Sequence, residues 1–235
     1  MNSRPVDYHE GDTALQGFFA SASDSAAPGV LVCHTWAGQG DFEDGVARSL
    51  ADLGYSALAA AVYGKGVRGS NPEENSALLQ PMLDDRELLL RRLTAGIDCL
   101  RAQPEVDATR VAVIGFCFGG LCALDVARSG ADVRGVVSFH GLLGSPGAPS
   151  GPVSAKVLAL HGWDDPLAPP EDALSFTREM TAAGADWQLH AYGGIVHAFT
   201  NPNASDAENG MLYSDVAASR AFAAMRSFLA EVFSV

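Results

Sequence analysis

Cys117 stands at a corner. The stretch VAVIGFCFGGLCALDVA, residues 111–127, passes from an apolar run through a tight glycine turn into helix-forming residues. Within it, GFCFG fits Gly-x-nucleophile-x-Gly, a strand-turn-helix elbow with cysteine in the position often held by serine. Such a turn holds its central residue in strained backbone geometry, so that the side chain projects above the sheet. Gly115 and Gly119 lack Cβ atoms and let the turn pack closely. The N–H of Phe118, at the helix start, can stabilise a developing oxyanion. Elbow enzymes supply their partners in the order nucleophile, acid, histidine. HGWDDPLAP offers Asp164 and Asp165, and GGIVHAF offers His197. In this reading Cys117 attacks, His197 takes and returns a proton, and Asp165 orients the imidazole. Asp165 is preferred because it lies one residue deeper in the loop, against Pro166; Asp164 is read as a turn or helix-entrance carboxylate. Cys33, Cys99 and Cys122 are read as structural, since unpaired cysteine is among the most buried residue types.

The elements that must position these groups follow from periodicity. A β-hairpin is expected over Val6–Glu10 and Leu15–Ala20, around the turn signal EGDT. The apolar run at 29–34 and the segments 55–63, 110–114, 133–141, 156–162 and 186–194 read as strands, the first two of them buried. Helices are expected over 41–53, 82–101, from the cysteine corner to about Ser129, over 170–183 and over 214–233. Leu90, Leu93, Ile97 and Leu100 share one helical face; Phe222, Met225, Leu229 and Val232 share another. Residues 64–80 read as a polar loop leading into a helix, and 142–154 as a Gly/Pro/Ser loop. Alternation of strand and helix from residue 29 onward predicts an α/β protein with a mostly parallel sheet covered on both faces. No repeat and no long linker interrupts it, so one domain over 1–235 is expected.

Composition narrows the partners. With 15 Lys+Arg against 28 Asp+Glu the net charge is −13, which disfavours nucleic acid and anionic membrane surfaces. Four cysteines in 235 residues make no disulfide framework. The polar start MNSRPVDYHEGDT lacks the pattern of a signal peptide, and no apolar run reaches about 18 residues. A cytoplasmic protein, monomeric or homodimeric, with a small-molecule substrate and no cofactor is the expectation.

Four segments together carry a resemblance: GFCFGG, LHGWDDPLAPPE, VHAFTNP and VLVCHTWAGQGDFEDGVARSLADLGYSALAAAVYGKG. The sequence resembles the dienelactone hydrolase family of α/β hydrolases over nearly its whole length. The resemblance implies Cys117, Asp165 and His197 as the catalytic residues. It implies an oxyanion hole from the N–H groups of Phe118 and Trp36, and hydrolysis of a small ester, lactone or thioester by acyl transfer. Thr35, Trp163 and Phe199, beside these residues, are candidates for the substrate pocket. The sequence departs from the family at Thr35, where members usually carry a glutamate that helps manage the thiol's proton. The family's archetype holds its substrate carboxylate with two arginines: Asn201 stands at one of these positions, and the other has no arginine match in 74–80, leaving Lys65 or Arg68 as candidates to substitute.

Three rival readings compete with this one. GQGDFE begins like a dinucleotide-binding turn, but Glu43 replaces the third glycine and no acid ends the strand at 60–62. His34, His140 and His161 each sit near a strand's carboxyl end, where they could approach a metal, yet no HExxH or Cys-pair spacing supports zinc. A redox-sensitive or ligand-binding protein on a hydrolase scaffold is the third, since an activated thiol oxidises readily.

Overall fold

The computed structural model describes residues 1–147 and 152–234. Residues 148–151 of the loop expected over 142–154 lie outside the described residues. The chain divides into two compact units, Met1–Val113 and Ile114–Val235.

The first unit opens with a hairpin, β1 (Asn2–Glu10) and β2 (Thr13–Ser21), turning at Gly11 with φ 52°. It is longer than the alternation alone predicts. Leu15 and Phe19, two of the alternating positions of β2, are fully buried, as a half-covered antiparallel ribbon requires. Next come β3 (Ala27–Cys33), α1 (Asp41–Asp52), β4 (Ser56–Ala60), α2 (Pro72–Asp84) and α3 (Arg86–Arg101). Strand order in this unit is β1-β2-β4-β3-β5, with β3 and β4 parallel and β2 antiparallel to β4. β5 (Val106–Phe116) then carries the chain into the second unit.

The expected 64–80 loop is shorter than predicted, because α2 begins at Pro72. Asn71 caps it, its side chain accepting from the Glu74 N–H at 2.9 Å, and proline occupies the first turn. Proline there sacrifices only a donor that has no helical partner. In α3 the inward face is Leu89, Leu93, Ile97 and Leu100; Leu90, expected inside, is half-buried one position off that face.

The second unit orders its strands β5-β6-β7-β8, with β6 (Gly135–Phe139), β7 (Lys156–Gly162) and β8 (Trp187–Tyr192) all parallel. Its helices are α4 (Phe118–Arg128), α5 (Pro170–Ala182) and α6 (Asp215–Phe233). A two-stranded hairpin, β9 (Ser205–Asp206) and β10 (Met211–Leu212), lies between β8 and α6, where no strand is expected from the sequence. Every residue of α4 is buried. The α6 stripe of Met225, Leu229 and Val232 is buried as expected, each side chain contributing roughly 2 kcal/mol. Within α4, burial of Arg128 is made tolerable by partners on every side. Its guanidinium forms a two-pronged pair with Glu179 (2.8 Å each), meets Asp125 at 3.2 Å, and donates to the Leu143 carbonyl at 2.8 Å. A buried charge persists only when so compensated. No described helix is long and apolar enough to cross a membrane.

Candidate active site

Strand β5 ends at Phe116 and α4 begins at Phe118, leaving Cys117 as the whole turn. Its backbone lies at φ 56°, ψ −116°, a conformation that non-glycine residues rarely adopt. Strain persists here because the surroundings determine it. A Cβ on Gly115 would overlap the Gly119 carbonyl, so only glycine admits so close a strand-to-helix passage. The Cys117 N–H is shared between the Phe139 carbonyl at 3.0 Å and Nδ1 of His140 at 3.2 Å. Cys117 is partly exposed, whereas Cys33, Cys99 and Cys122 are buried, and none of the four is in a disulfide. Burial pushes the Cys33 thiol up to about 12 and that of Cys99 up to about 11, so both are poor nucleophiles at neutral pH.

At the end of β7 the chain turns through Trp163 and Asp164 to Asp165. Asp165 is 1% exposed. One carboxylate oxygen accepts from the Leu167 N–H at 2.8 Å; the other lies 2.7 Å from Nδ1 of His197. Asp164 is exposed, its backbone N–H bonded to the Ile195 carbonyl. Gly162 permits this approach, since a Cβ there would come within 2.6 Å of the Ile195 and Val196 carbonyls.

His197 is held by its main chain as well. Its N–H donates to the Gly210 carbonyl at 2.9 Å and its carbonyl accepts from Leu212 at 3.1 Å. The β9-β10 hairpin therefore buttresses the histidine. Its sequence signal is Asn209-Gly210, a turn dipeptide, with Gly210 at φ 69°. Burial disfavours a charged His197 imidazole, but the Cys117 charge and the Asp165 hydrogen bond outweigh it and raise the pKa to about 10. Nε2 is buried and meets no acceptor or donor at hydrogen-bond geometry among the described residues. The Cys117 sulfur is near enough to favour the imidazolium both by its charge and by a loosely aligned hydrogen-bond contact, and such contacts tighten when substrate binds. The carboxylate fixes the tautomer with Nδ1–H, leaving Nε2 to exchange a proton. That is the set of parts needed for a thiolate–imidazolium nucleophile.

The remaining predicted residues separate. Trp163 is 37% exposed, whereas Phe199 is fully buried, edge-on to His140 and Tyr192 with ring centroids 5.2 Å and 5.5 Å away. Thr35 and Trp36 belong to the first unit, on the loop after β3, and both are half-buried. That loop is organised by Glu43, which sequence reasoning treated only as a missing glycine. Its carboxylate is 2% exposed and accepts from the N–H groups of Thr35 (3.1 Å) and Gly40 (3.0 Å). Burial raises its pKa, opposed by those two bonds and by Arg68. Tyr63 donates to the Trp36 carbonyl at 3.0 Å, while the Trp36 N–H finds no acceptor among the described residues. An acid three residues into a helix is the sequence signal that could have flagged Glu43. Lys65 is paired with Asp7 at 2.7 Å, and Arg68 lies against Gly40.

The three histidines considered as metal ligands are otherwise engaged or scattered. His34 accepts from the Val62 N–H at Nε2 and donates to the Thr35 carbonyl at 2.6 Å. Both nitrogens of His140 are bonded, to Cys117 and to Thr200. His161 is buried beside the Ala168 backbone, neither nitrogen closing a well-aligned hydrogen bond among the described residues. Among the described residues no group of three His, Cys, Asp or Glu side chains could hold a metal ion.

Known proteins share this fold. The chain superposes on the crystal structure of a dienelactone hydrolase-like promiscuous phosphotriesterase, P91, from metagenomic libraries. The TM-score is 0.93 and identity 38%, over 99% of this chain and 98% of that one. A Bradyrhizobium protein named "Probable 2-oxo-3-(5-oxofuran-2-ylidene)propanoate lactonase" is 31% identical over 184 residues, 73% of each chain. An uncharacterised Caenorhabditis elegans protein is 36% identical over 159 residues, 65% of this chain and all of that one. The mostly parallel eight-stranded sheet flanked by helices is that of the α/β-hydrolase fold. The dienelactone hydrolase family matches residues 15–233, and the chain belongs to it.

Proposed function

We propose that this chain is a single-domain hydrolase of small esters or lactones, acting by acyl transfer through Cys117. The observation that carries the reading is the 2.7 Å bond from Asp165 to a His197 ring on which the Cys117 charge acts. The thiolate attacks the substrate carbonyl carbon. The tetrahedral oxyanion is held by the Phe118 N–H and, as the family resemblance implies, by that of Trp36. The carbon–oxygen bond to the leaving group breaks as His197 hands it a proton. Water then gives a proton to His197 and attacks the thioester carbonyl, releasing the acid and returning sulfur to the thiolate. Thr35 has no basic group, so His197 manages the thiol's proton without a neighbouring glutamate. Thr35, Trp163 and Phe199 are proposed to shape the pocket, Phe199 from behind through its packing on His140.

Four cysteines with no disulfide among them suit a reducing cytoplasm. The name of the P91 relative adds phosphotriesters to the substrates worth testing. A panel of lactones, p-nitrophenyl esters, thioesters and a phosphotriester, run on the parent and on Cys117→Ala, is the test. Turnover of an acyl substrate that the variant loses is expected; equal turnover by both proteins would overturn the mechanism. The same partly exposed thiol favours one alternative, a redox-sensitive protein. Peroxide oxidation of Cys117 with no turnover anywhere in the panel would select it.

A further inference from the structure

Among the described residues three non-glycine positions have positive φ: Cys117 (56°), His140 (37°) and Ala198 (57°). One is the proposed nucleophile and one follows the proposed base. The third, His140, touches both. Its Nδ1 accepts from the Cys117 backbone N–H at 3.2 Å, which fixes the neutral tautomer with hydrogen on Nε2. Nε2 accordingly donates to Thr200 Oγ1 at 2.7 Å, three residues past His197. The ring stands edge-on to His197 and to Phe199, with centroids 5.2 Å away in each case. His140 and Thr200 are 1% and 2% exposed. Strained backbone at a functional site survives only where neighbours determine it, and here one side chain ties two strained segments together.

We propose that His140 is a positioning residue, a brace between the Cys117 elbow and the His197 loop that Thr200 locks from its far side. The inference rests on the Cys117 reading. Its job is to keep sulfur and imidazole at the separation where proton transfer occurs. The brace works only with a neutral ring, because a protonated Nδ1 would point a donor at the Cys117 N–H. Burial, together with the His197 charge, lowers the His140 pKa well below its usual value and keeps the ring neutral.

The test compares Thr200→Val with Thr200→Ser, and His140→Phe with His140→Asn. Serine keeps the hydroxyl. Asparagine keeps an acceptor near Nδ1 and tolerates positive φ. Each protein is read by melting temperature, by kcat and KM on p-nitrophenyl acetate, and by the pH dependence of Cys117 alkylation with iodoacetamide. Thr200→Val and His140→Phe are expected to lower kcat by about tenfold or more, with KM within about twofold. Neutral-pH alkylation should slow in parallel, and the serine and asparagine variants should recover most of both. Should His140→Phe fail to fold, the two Thr200 variants carry the comparison. Valine and serine variants both within about twofold of the parent in kcat would overturn the brace. So would loss of activity with an unchanged alkylation profile, which marks a packing role only. Alkylation needs no substrate, so it reads the brace even if Cys117→Ala proves as active as the parent and the hydrolase reading fails.

Discussion

His197 concentrates the residue-scale chemistry. Its imidazolium is favoured by sulfur on one side and carboxylate on the other, against the cost of burial. A histidine whose folded pKa is raised contributes stability that is complete below the unfolded value of 6.5 and lost as pH rises through about 10. The same proton is the one the leaving group needs. For an alkyl ester with a poor leaving group, kcat/KM should therefore fall as pH passes about 10. His197→Asn should abolish turnover, and a pH–rate profile flat through that region would contradict the assignment. Asp165→Asn keeps the shape of the side chain but removes the charge that sets the tautomer. A loss of roughly a hundredfold or more in kcat/KM is expected, measured on the same ester. Cys117, Asp165 and His197 stand out in the sequence because each follows an expected strand in the chain order that elbow chemistry uses, and the structure brings the Asp165 carboxylate to 2.7 Å from the His197 ring. Glu43 does not, because its task is to receive two backbone N–H groups from a loop whose path sequence does not reveal.

Elements hold these groups through close backbone approaches. Gly115→Ala forces the β5-α4 corner apart and should remove activity while leaving the rest of the sheet folded, as read by circular dichroism and turnover together. The Arg128 network ties α4 to α5 and to the Leu143 carbonyl. Arg128→Ala removes the buried cation that Asp125 and Glu179 share and should cost about 3–5 kcal/mol, seen in denaturant unfolding. A change below about 1 kcal/mol would show the network to be dispensable. Strand positions were readable because runs such as VLALH and VAVIG are buried on both faces, which leaves few alternatives. The start of α2 was missed although NPEE spells a cap, a first-turn proline and first-turn acids. The polar stretch ahead of it masked the signal. The β9-β10 hairpin was missed because two-residue strands have no periodicity to detect; Asn209-Gly210 was its single mark.

At the scale of the whole molecule, acidity should be the weak side. His34, His140 and His161 are buried with pKa values lowered chiefly by burial, that of His34 to about 4. Each takes up a proton more readily unfolded, so stability falls as pH drops below 6.5 toward those values. His34 alone accounts for roughly 3 kcal/mol of that dependence. Glu43, whose pKa is raised, works in the opposite sense, as does relief of repulsion in a chain of net charge −13. We expect the histidines to dominate, giving a melting temperature that declines between pH 6.5 and about 4 and a flatter curve for His34→Gln; equal slopes would assign the decline elsewhere. The acidic composition and the alternation of strands with helices were readable from the start; the burial of three uncharged histidines was not, since it depends on which faces the sheet covers. The central claim, covalent catalysis at Cys117, is tested most directly on the intact protein. Rapid mixing with p-nitrophenyl acetate, acid quenching and mass measurement should reveal one transient acetyl group per chain, mapped to the peptide containing Cys117 and absent from Cys117→Ala. Turnover by the parent protein with no adduct on that peptide would contradict the account.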